Sequence, residues 1–151
     1  MSQTNFKILL IDTDDEMLSI VESTLKSEGF DIISSKNSKE AIKLAVEELP
    51  QLVLVDLLMP ELDGIDICID LRHKPELANT LIVFHTERSE DYSQIAAFNA
   101  GADDYIIKPV KPRVLVSRLK ALLKRHSSHQ VEVDTSKLTG LTSDRGGNLI
   151  F

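Results

Sequence analysis

Five short apolar runs alternate along the chain with five segments in which apolar residues recur every three or four positions. The runs are almost continuously apolar, which is typical of strands covered on both faces of a sheet. They occupy residues 6–11, 31–35, 52–56, 81–85 and 104–108. A β-α repeat of this kind predicts a parallel sheet with right-handed crossovers and helices on both faces.

Helical spacing of the apolar residues predicts one buried face on each intervening segment. The first helix ends before Gly29, and the second begins at an N-cap on Asn37 or Ser38 and ends before Pro50. The fourth spans about residues 90–100, and the fifth about residues 112–125. The predicted buried faces are, in chain order, Leu18, Val21 and Leu25; Ile42, Ala45, Val46 and Leu49; Ile65, Cys68, Ile69 and Leu71; Ile95 and Phe98; and Leu115, Leu119, Leu122 and Leu123.

Five β-α units are too few to close an eight-stranded barrel. The sequence therefore predicts an α/β fold built on an open, doubly wound, five-stranded parallel sheet with five helices. In such sheets the ligand crevice lies at the carboxyl ends of the strands. Candidate chemistry is therefore sought at those ends.

The last part of the chain breaks the repeat. The polar stretch "HSSHQ" resembles a linker, and "VEVD" and "NLIF" are strand-like, but the piece is too short to bury a core of its own. We predict one domain over residues 1–126 and a linker or tail over 127–151, the start of a truncated C-terminal effector domain.

Composition narrows the class of protein. The 151 residues are 42% apolar, which suffices for a core, and the net charge of −7 argues against binding to nucleic acid or a bilayer. The single Cys68 excludes an internal disulfide and suits a reducing compartment. Neither a signal peptide nor a membrane span is recognisable. The sequence predicts a soluble, cytoplasmic protein that favours metal cations and basic partners.

Polar side chains follow four of the five predicted strands. The first delivers Asp12, Thr13 and Asp14, the third Asp56, the fourth Thr86 and the fifth Lys108. Carboxylates, a hydroxyl and an ammonium together suit a divalent cation and a phosphate, and Mg²⁺ needs only one or two carboxylates beside phosphoryl oxygens and water. Asp56 is a candidate nucleophile that would form an acyl phosphate.

Four motifs resemble the receiver domain of bacterial two-component response regulators. They are "ILLID" ending at Asp12, "LVLVDLLMPELDGI" around Asp56, "FHT" at Thr86 and "AGADDYIIKPVKPRVL" around Lys108. The match runs in order over about residues 5–125 and is most similar to the OmpR/PhoB transcription-factor family. The resemblance implies a flavodoxin-like fold with strand order 2-1-3-4-5.

The resemblance also implies roles for single residues. Asp56 would be the phosphoacceptor of a sensor histidine kinase, and Asp12, Asp56 and the backbone carbonyl of Leu58 would hold Mg²⁺. Thr86 and Lys108 would bind the phosphoryl group, and Tyr105 would move in step with Thr86. The Lys108–Pro109 bond is usually cis in the family. Such a protein is a phosphorelay signalling phosphoprotein and not an enzyme beyond its own phosphorylation and dephosphorylation.

Three positions depart from the family pattern. Thr13 stands where the second metal-binding acid is expected, so Thr13, Asp14 or Asp15 is the candidate third ligand, and we expect weakened Mg²⁺ affinity. Glu87 follows Thr86 where a small residue is usual and would crowd the phosphate entrance. Leu58 is apolar and cannot position a hydrolytic water, so we expect the aspartyl phosphate to be lost slowly.

The expected output surface comprises the fourth helix, the fifth strand and the fifth helix. The family dimerises through this face by charged pairs, and Asp103, Asp104, Lys111 and Arg118 match its charged positions, whereas Val114 replaces a usual Glu. We therefore expect a homodimer on phosphorylation. DNA binding and transcription regulation would need an effector domain that residues 127–151 do not supply. Within this segment, "KLTGL" also resembles the opening of diguanylate cyclase domains.

Two other functions remain open at this point. "DTD" from Asp12 to Asp14 fits the nucleophile motif of haloacid-dehalogenase-like phosphatases. Alternatively, Thr13 and Glu87 favour a degenerate receiver that acts as a phosphate-independent interaction module. Asp14, Asp15 and Glu16 also suit an ordinary helix N-terminus. The four histidines show no metal-ligand spacing, and neither they nor Cys68 are assigned a role.

Overall fold

The computed structural model describes the backbone of residues 6–139 and the side chains of residues 6–127. Strands and helices alternate, and a 3-10 turn at Pro75–Leu77 precedes the fourth strand. The strands are β1 (Lys7–Ile11), β2 (Asp31–Ser35), β3 (Leu52–Val55), β4 (Leu81–Thr86) and β5 (Asp104–Ile107). The helices are α1 (Asp15–Ser27), α2 (Ser38–Glu48), α3 (Gly64–Arg72), α4 (Asp91–Ala100) and α5 (Pro112–Thr139).

The five strands form one parallel sheet in the order β2-β1-β3-β4-β5. This order confirms the predicted open, doubly wound sheet. The three central strands are buried along their whole length except for Lys7 at the start of β1. Burial on both faces explains why their sequences are continuous apolar runs and do not alternate.

A core cluster joins one face of the sheet to α2, α3 and α4. Phe84, Ile67 and Leu71 are among its fully buried members. Residues on the opposite face of β1 and β3, such as Leu10 and Leu54, lie beside α1. The alternation of strand side chains therefore divides each central strand between two apolar layers.

Side-chain caps fix the starts of three helices. The carboxylates of Asp14 and Asp63 and the side-chain amide oxygen of Asn37 accept hydrogen bonds from backbone N–H groups in the first turns of α1, α3 and α2. Asn37 is therefore the cap of α2, one of the two predicted candidates. These caps satisfy N–H groups that have no partner within the helix.

The predicted inner face of α4 is wrong. Ile95 and Phe98 are 59% and 46% exposed, and the buried residues of this helix are Ser93 and Ala97. Apolar residues lie on more than one side of α4, so their spacing does not show which side faces the sheet. Ile69 on α3 and Leu49 after α2 are likewise exposed, contrary to prediction.

The fifth helix is longer than predicted. It continues to Thr139, so "HSSHQ" and "VEVD" are helical, and the predicted strand character of "VEVD" is wrong. "NLIF" lies outside the described residues, and the division of the chain at residue 126 stays a prediction. The chain separates into two compact units, Met1–Ser117 with the sheet and Arg118–Phe151, of which the rest of α5 is described. In the described residues no helix is long and apolar enough to cross a membrane.

Candidate functional site

The sheet register brings the predicted site residues to one edge. Ile11 pairs with Val55, and Val55 pairs with Phe84, so the residues that follow β1 and β3 emerge side by side. Those residues are Asp12 and Asp56. Parallel strands end at a common edge, which is why residues 44 positions apart in sequence can share one crevice.

Lys108 links the two carboxylates. Its Nζ lies 2.8 Å from Asp12 Oδ2 and 3.1 Å from Asp56 Oδ2. The side chains of Lys108 and Asp12 are 6% and 8% exposed, and that of Asp56 is 13% exposed. Burial opposes the charge of Lys108, but the hydrogen bond to Asp12 and the charge of Asp56 outweigh it and raise the pKa of the ammonium. The peptide bond from Lys108 to Pro109 is cis, as the resemblance implies.

The acids after Asp12 are engaged in helix α1. Asp14 Oδ1 accepts hydrogen bonds from the N–H groups of Glu16 and Met17 at 3.0 and 3.1 Å, while Asp15 pairs with Lys36 at 2.7 Å. The Asp14 N–H in turn donates to Asp12 Oδ1 at 3.1 Å. Asp14 thus has the helix-terminal role that the sequence offered as an alternative to metal binding. Thr13 is exposed.

The loop after β3 holds Asp56 from the other side. The Leu58 N–H donates to Asp56 Oδ1 at 3.2 Å, and the Leu58 side chain is half exposed. Gly64 packs so closely beneath this loop that an added Cβ would lie 2.5 Å from the carbonyl oxygen of Asp56. The buried hydroxyl of Ser38 lies within hydrogen-bond distance of the carbonyl oxygens of Pro60 and Leu62 and anchors the far end of the loop.

Thr86 ends β4 and is fully buried. Its carbonyl oxygen accepts from the Lys108 N–H at 2.8 Å, and its hydroxyl oxygen accepts from the Arg88 N–H at 3.4 Å. Glu87, which follows it, is exposed. Thr86 is thereby tied both to the strand that carries Lys108 and to the loop before α4.

Tyr105 lies inward beneath that loop. Its hydroxyl donates to the carbonyl oxygen of Arg88 at 2.7 Å, and its ring stacks on Phe84 with centroids 5.8 Å apart. Burial raises the pKa of the Tyr105 hydroxyl, so it remains a donor at neutral pH. Thr86 and Tyr105 therefore contact the same residue, Arg88, through its N–H and its carbonyl respectively.

The structure adds His85, to which the sequence assigned no role. This residue follows Phe84, the register partner of Val55, so by strand alternation its side chain shares the sheet face of Asp12 and Asp56. It is 3% exposed, and burial together with the charge of Lys108 lowers the pKa of its imidazole to about 4. In the sequence, a histidine at the end of the apolar run "LIVFH" indicates only a strand residue. Its position beside Asp12 and Asp56 follows from the fold.

The oxygen atoms at this edge suit Mg²⁺. Asp12 and Asp56 supply two carboxylates, and each of their oxygens accepts one hydrogen bond and keeps lone-pair capacity. Within the described part of the chain, no three carboxylate, imidazole or thiolate side chains group to hold a metal by themselves. Mg²⁺ requires no such group because it keeps several waters.

A set of exposed apolar side chains lies on α4, β5 and the start of α5. We call it the α4-β5 patch, and its members are Tyr92, Ile95, Phe98, Ile107 and Val114, each at least 40% exposed. Asp103, one of the predicted dimer charges, pairs with Arg72 of the same chain at 2.8 Å and also accepts from the Ile82 N–H.

Comparison with known proteins agrees with this geometry. Residues 8–120 match the model of the response regulator receiver domain. The chain is 40% identical over 126 residues to the transcriptional regulatory protein SrrA of Staphylococcus aureus, covering 83% of this chain and 51% of that protein. It thus spans about half the length of the curated relatives it matches.

Solved structures of similar fold are receiver proteins as well. A two-component response regulator from Clostridium difficile superimposes with a TM-score of 0.76 at 31% identity, covering 80% of this chain and 98% of that one. The BeF3-activated receiver domain of Klebsiella pneumoniae RstA gives a TM-score of 0.72 at 32% identity, covering 78% and 97%. The fold, the arrangement at the strand ends and these relatives agree: the chain belongs to the response regulator receiver domain family.

Proposed function

We propose that the chain is a phosphorylation-dependent signalling switch that accepts a phosphoryl group on Asp56 from a sensor histidine kinase. The observation that carries the proposal is the position of Lys108, whose ammonium lies within 3.1 Å of both Asp12 and Asp56. A cation so placed can hold oxygens of a phosphoryl group on Asp56. Asp56 is the most exposed of the three side chains and hence the one a donor can reach.

In the transfer step a carboxylate oxygen of Asp56 attacks the phosphorus of a phosphohistidine on the kinase. The P–O bond forms, the P–N bond breaks, and the leaving imidazole takes up a proton. Asp12, Asp56 and the carbonyl of Leu58 would hold Mg²⁺, which when bound supplies positive charge that offsets the repulsion between carboxylates and phosphoryl oxygens. The Thr86 hydroxyl and Lys108 would receive the remaining oxygens.

The output would follow from Thr86. Drawing its hydroxyl toward the phosphoryl group competes with the Arg88 N–H, its donor in this structure. Arg88 also accepts from Tyr105, so a shift of its backbone would reach the α4-β5 patch, where Phe98 lies against the Tyr105 ring. This surface would dimerise on phosphorylation, with Asp103, Asp104, Lys111 and Arg118 as the charged positions. Because the patch is apolar, a charge within it should prevent dimerisation. In analytical sedimentation with beryllofluoride and Mg²⁺, Phe98→Glu should therefore keep the mass of a monomer.

Regulation of transcription would depend on an effector domain, and the relative SrrA is a transcriptional regulatory protein. We place the protein in the cytoplasm, where the unpaired, buried Cys68 suits reducing conditions. Its role is that of a phosphoacceptor and not of an enzyme with an external substrate.

The test is incubation with acetyl phosphate and Mg²⁺, with the label mapped by mass spectrometry. One acid-stable phosphoryl group per chain, lost in Asp56→Asn, is expected. Continuous phosphate release that depends on Asp12 would instead support a phosphatase, against which stands the use of the Asp14 carboxylate as the α1 cap. A chain that takes no label yet binds its kinase would be a phosphate-independent module.

A further inference from the structure

His85 is a buried polar side chain that makes no hydrogen bond with any residue that the structure describes. Its exposed fraction is 3%, and among the described residues no hydrogen bond to the imidazole is found. Buried polar atoms are almost always paired with protein or with ordered water, because leaving them unpaired loses the hydration they had in the unfolded chain. A histidine in the core is therefore expected to have a hydrogen-bond partner. Because His85 has none among the described residues, an ordered water is the candidate partner.

A small cavity next to His85 supplies the space for that partner. It is lined by His85, Asp12 and Asp56 together with apolar residues of β1, β3 and α1. The volume open to the centre of a water molecule is about 10 Å³, close to the lower limit of about 10–15 Å³ at which a cavity holds one water. A water also needs two to four polar neighbours, and three line this cavity.

The donors and acceptors of these three groups match one water. The His85 imidazole carries at least one N–H in either protonation state, and this N–H can donate to the water oxygen. The two hydrogens of the water can then go to the carboxylates of Asp12 and Asp56. Each carboxylate has spare lone pairs after accepting from Lys108 and from its own loop N–H.

We propose that His85 is a positioning residue of the phosphoacceptor site, which acts on the Asp12 and Asp56 carboxylates through a single water held in this cavity. The inference rests on the proposed function, because the reaction it supports is the phosphorylation of Asp56. The water would brace the two carboxylates from the cavity between the sheet and α1. His85 touches neither donor nor phosphoryl group.

The first experiment tests the water itself in the unphosphorylated wild type. A nuclear Overhauser cross-peak between the His85 ring N–H and a long-lived water, with slow exchange of that N–H, is expected. A ring N–H that exchanges rapidly with bulk solvent, or one with no water cross-peak, would overturn the proposal. Neither result depends on whether Asp56 accepts phosphate.

The second experiment tests the effect on the reaction. His85→Leu keeps a similar volume without a donor, and His85→Gln keeps a donor. His73→Leu removes the exposed imidazole that directly follows α3. With saturating Mg²⁺ and varied acetyl phosphate, His85→Leu should lower the maximal phosphorylation rate about tenfold without changing the half-saturating concentration, and His85→Gln should recover most of the loss. The His73→Leu rate should equal that of wild type.

Equal maximal rates for His85→Leu and wild type, or equal losses for the Leu and Gln variants, would overturn the positioning role while leaving the phosphorylation of Asp56 intact. If the wild type takes no phosphoryl group, the proposed function fails instead, and with it the positioning role in that reaction. The cross-peak experiment then still decides whether the water is present.

Discussion

The ammonium of Lys108 lies 2.8 Å from Asp12 Oδ2, and the two side chains are only 6% and 8% exposed. Forming a buried ion pair of this kind costs free energy, because both charges lose their hydration. Removing one partner destabilises the fold further, because the remaining buried charge is then unpaired. The pair therefore makes stability depend on whichever cation neutralises Asp12 and Asp56.

Replacing Lys108 by Met removes that cation. We expect the free energy of unfolding in urea to fall by about 3 kcal/mol in the absence of Mg²⁺, since two nearby carboxylates are then left without a cation. Adding Mg²⁺ should recover part of the loss, and more than it adds to wild type. Lys36→Met, which removes an exposed pair with Asp15, is the control and should change little. Equal effects of the two variants would contradict the structure.

Much of this site could be predicted from the sequence because parallel strands end at one edge. Once five apolar runs were recognised, Asp12, Asp56 and Lys108 were expected at one edge of the sheet. The sequence was less informative for α4, where apolar residues occur on more than one side of the helix. Ile95 and Phe98 have helical spacing, but both side chains are largely exposed. The sequence did not identify His85 as a site residue, because its proposed role depends on side chains that other strands bring beside it.

Thr13 is exposed beside the site and offers a way to test the metal set. Thr13→Asp adds a carboxylate next to Asp12, and we expect Mg²⁺ to bind about tenfold more tightly, or about 1.4 kcal/mol. Isothermal titration at fixed ionic strength measures this. Thr13→Asn, similar in shape but uncharged, is the control and should stay within about twofold of wild type. Unchanged affinity in Thr13→Asp would show that a hydroxyl at this position costs the site nothing.

Gly64 offers a test of how tightly the Asp56 loop is held. A Cβ there would lie 2.5 Å from the Asp56 carbonyl oxygen and 2.8 Å from both Leu57 Cα and Phe84 Cε2. Two of these atoms belong to the backbone and cannot move aside alone. Gly64→Ala should therefore cost about 1–3 kcal/mol of stability and slow phosphorylation of Asp56 by acetyl phosphate.

Gly29→Ala provides the matched control. Gly29 has a φ of +95° with nothing within 4 Å of the added Cβ, so its substitution strains only the local backbone, by about 1 kcal/mol. Both variants should be less stable, but only Gly64→Ala should also be slower to phosphorylate at temperatures where each is fully folded. A loss of rate in Gly29→Ala would show that rate merely follows stability.

The neutral imidazole of His85 makes stability depend on pH. Its pKa is about 4 in the folded chain, against 6.5 for an unperturbed histidine, so the unfolded state binds more protons between these two pH values. Stability therefore rises with pH through this window, and the contribution, about 3 kcal/mol for the full shift, is lost as pH falls from 6.5 toward 4. His85→Leu cannot take up a proton, so urea unfolding at a series of pH values should give it a shallower slope there than wild type. His73→Leu should keep the wild-type slope, and a steep slope that persists in His85→Leu would assign the acid sensitivity to the carboxylates instead.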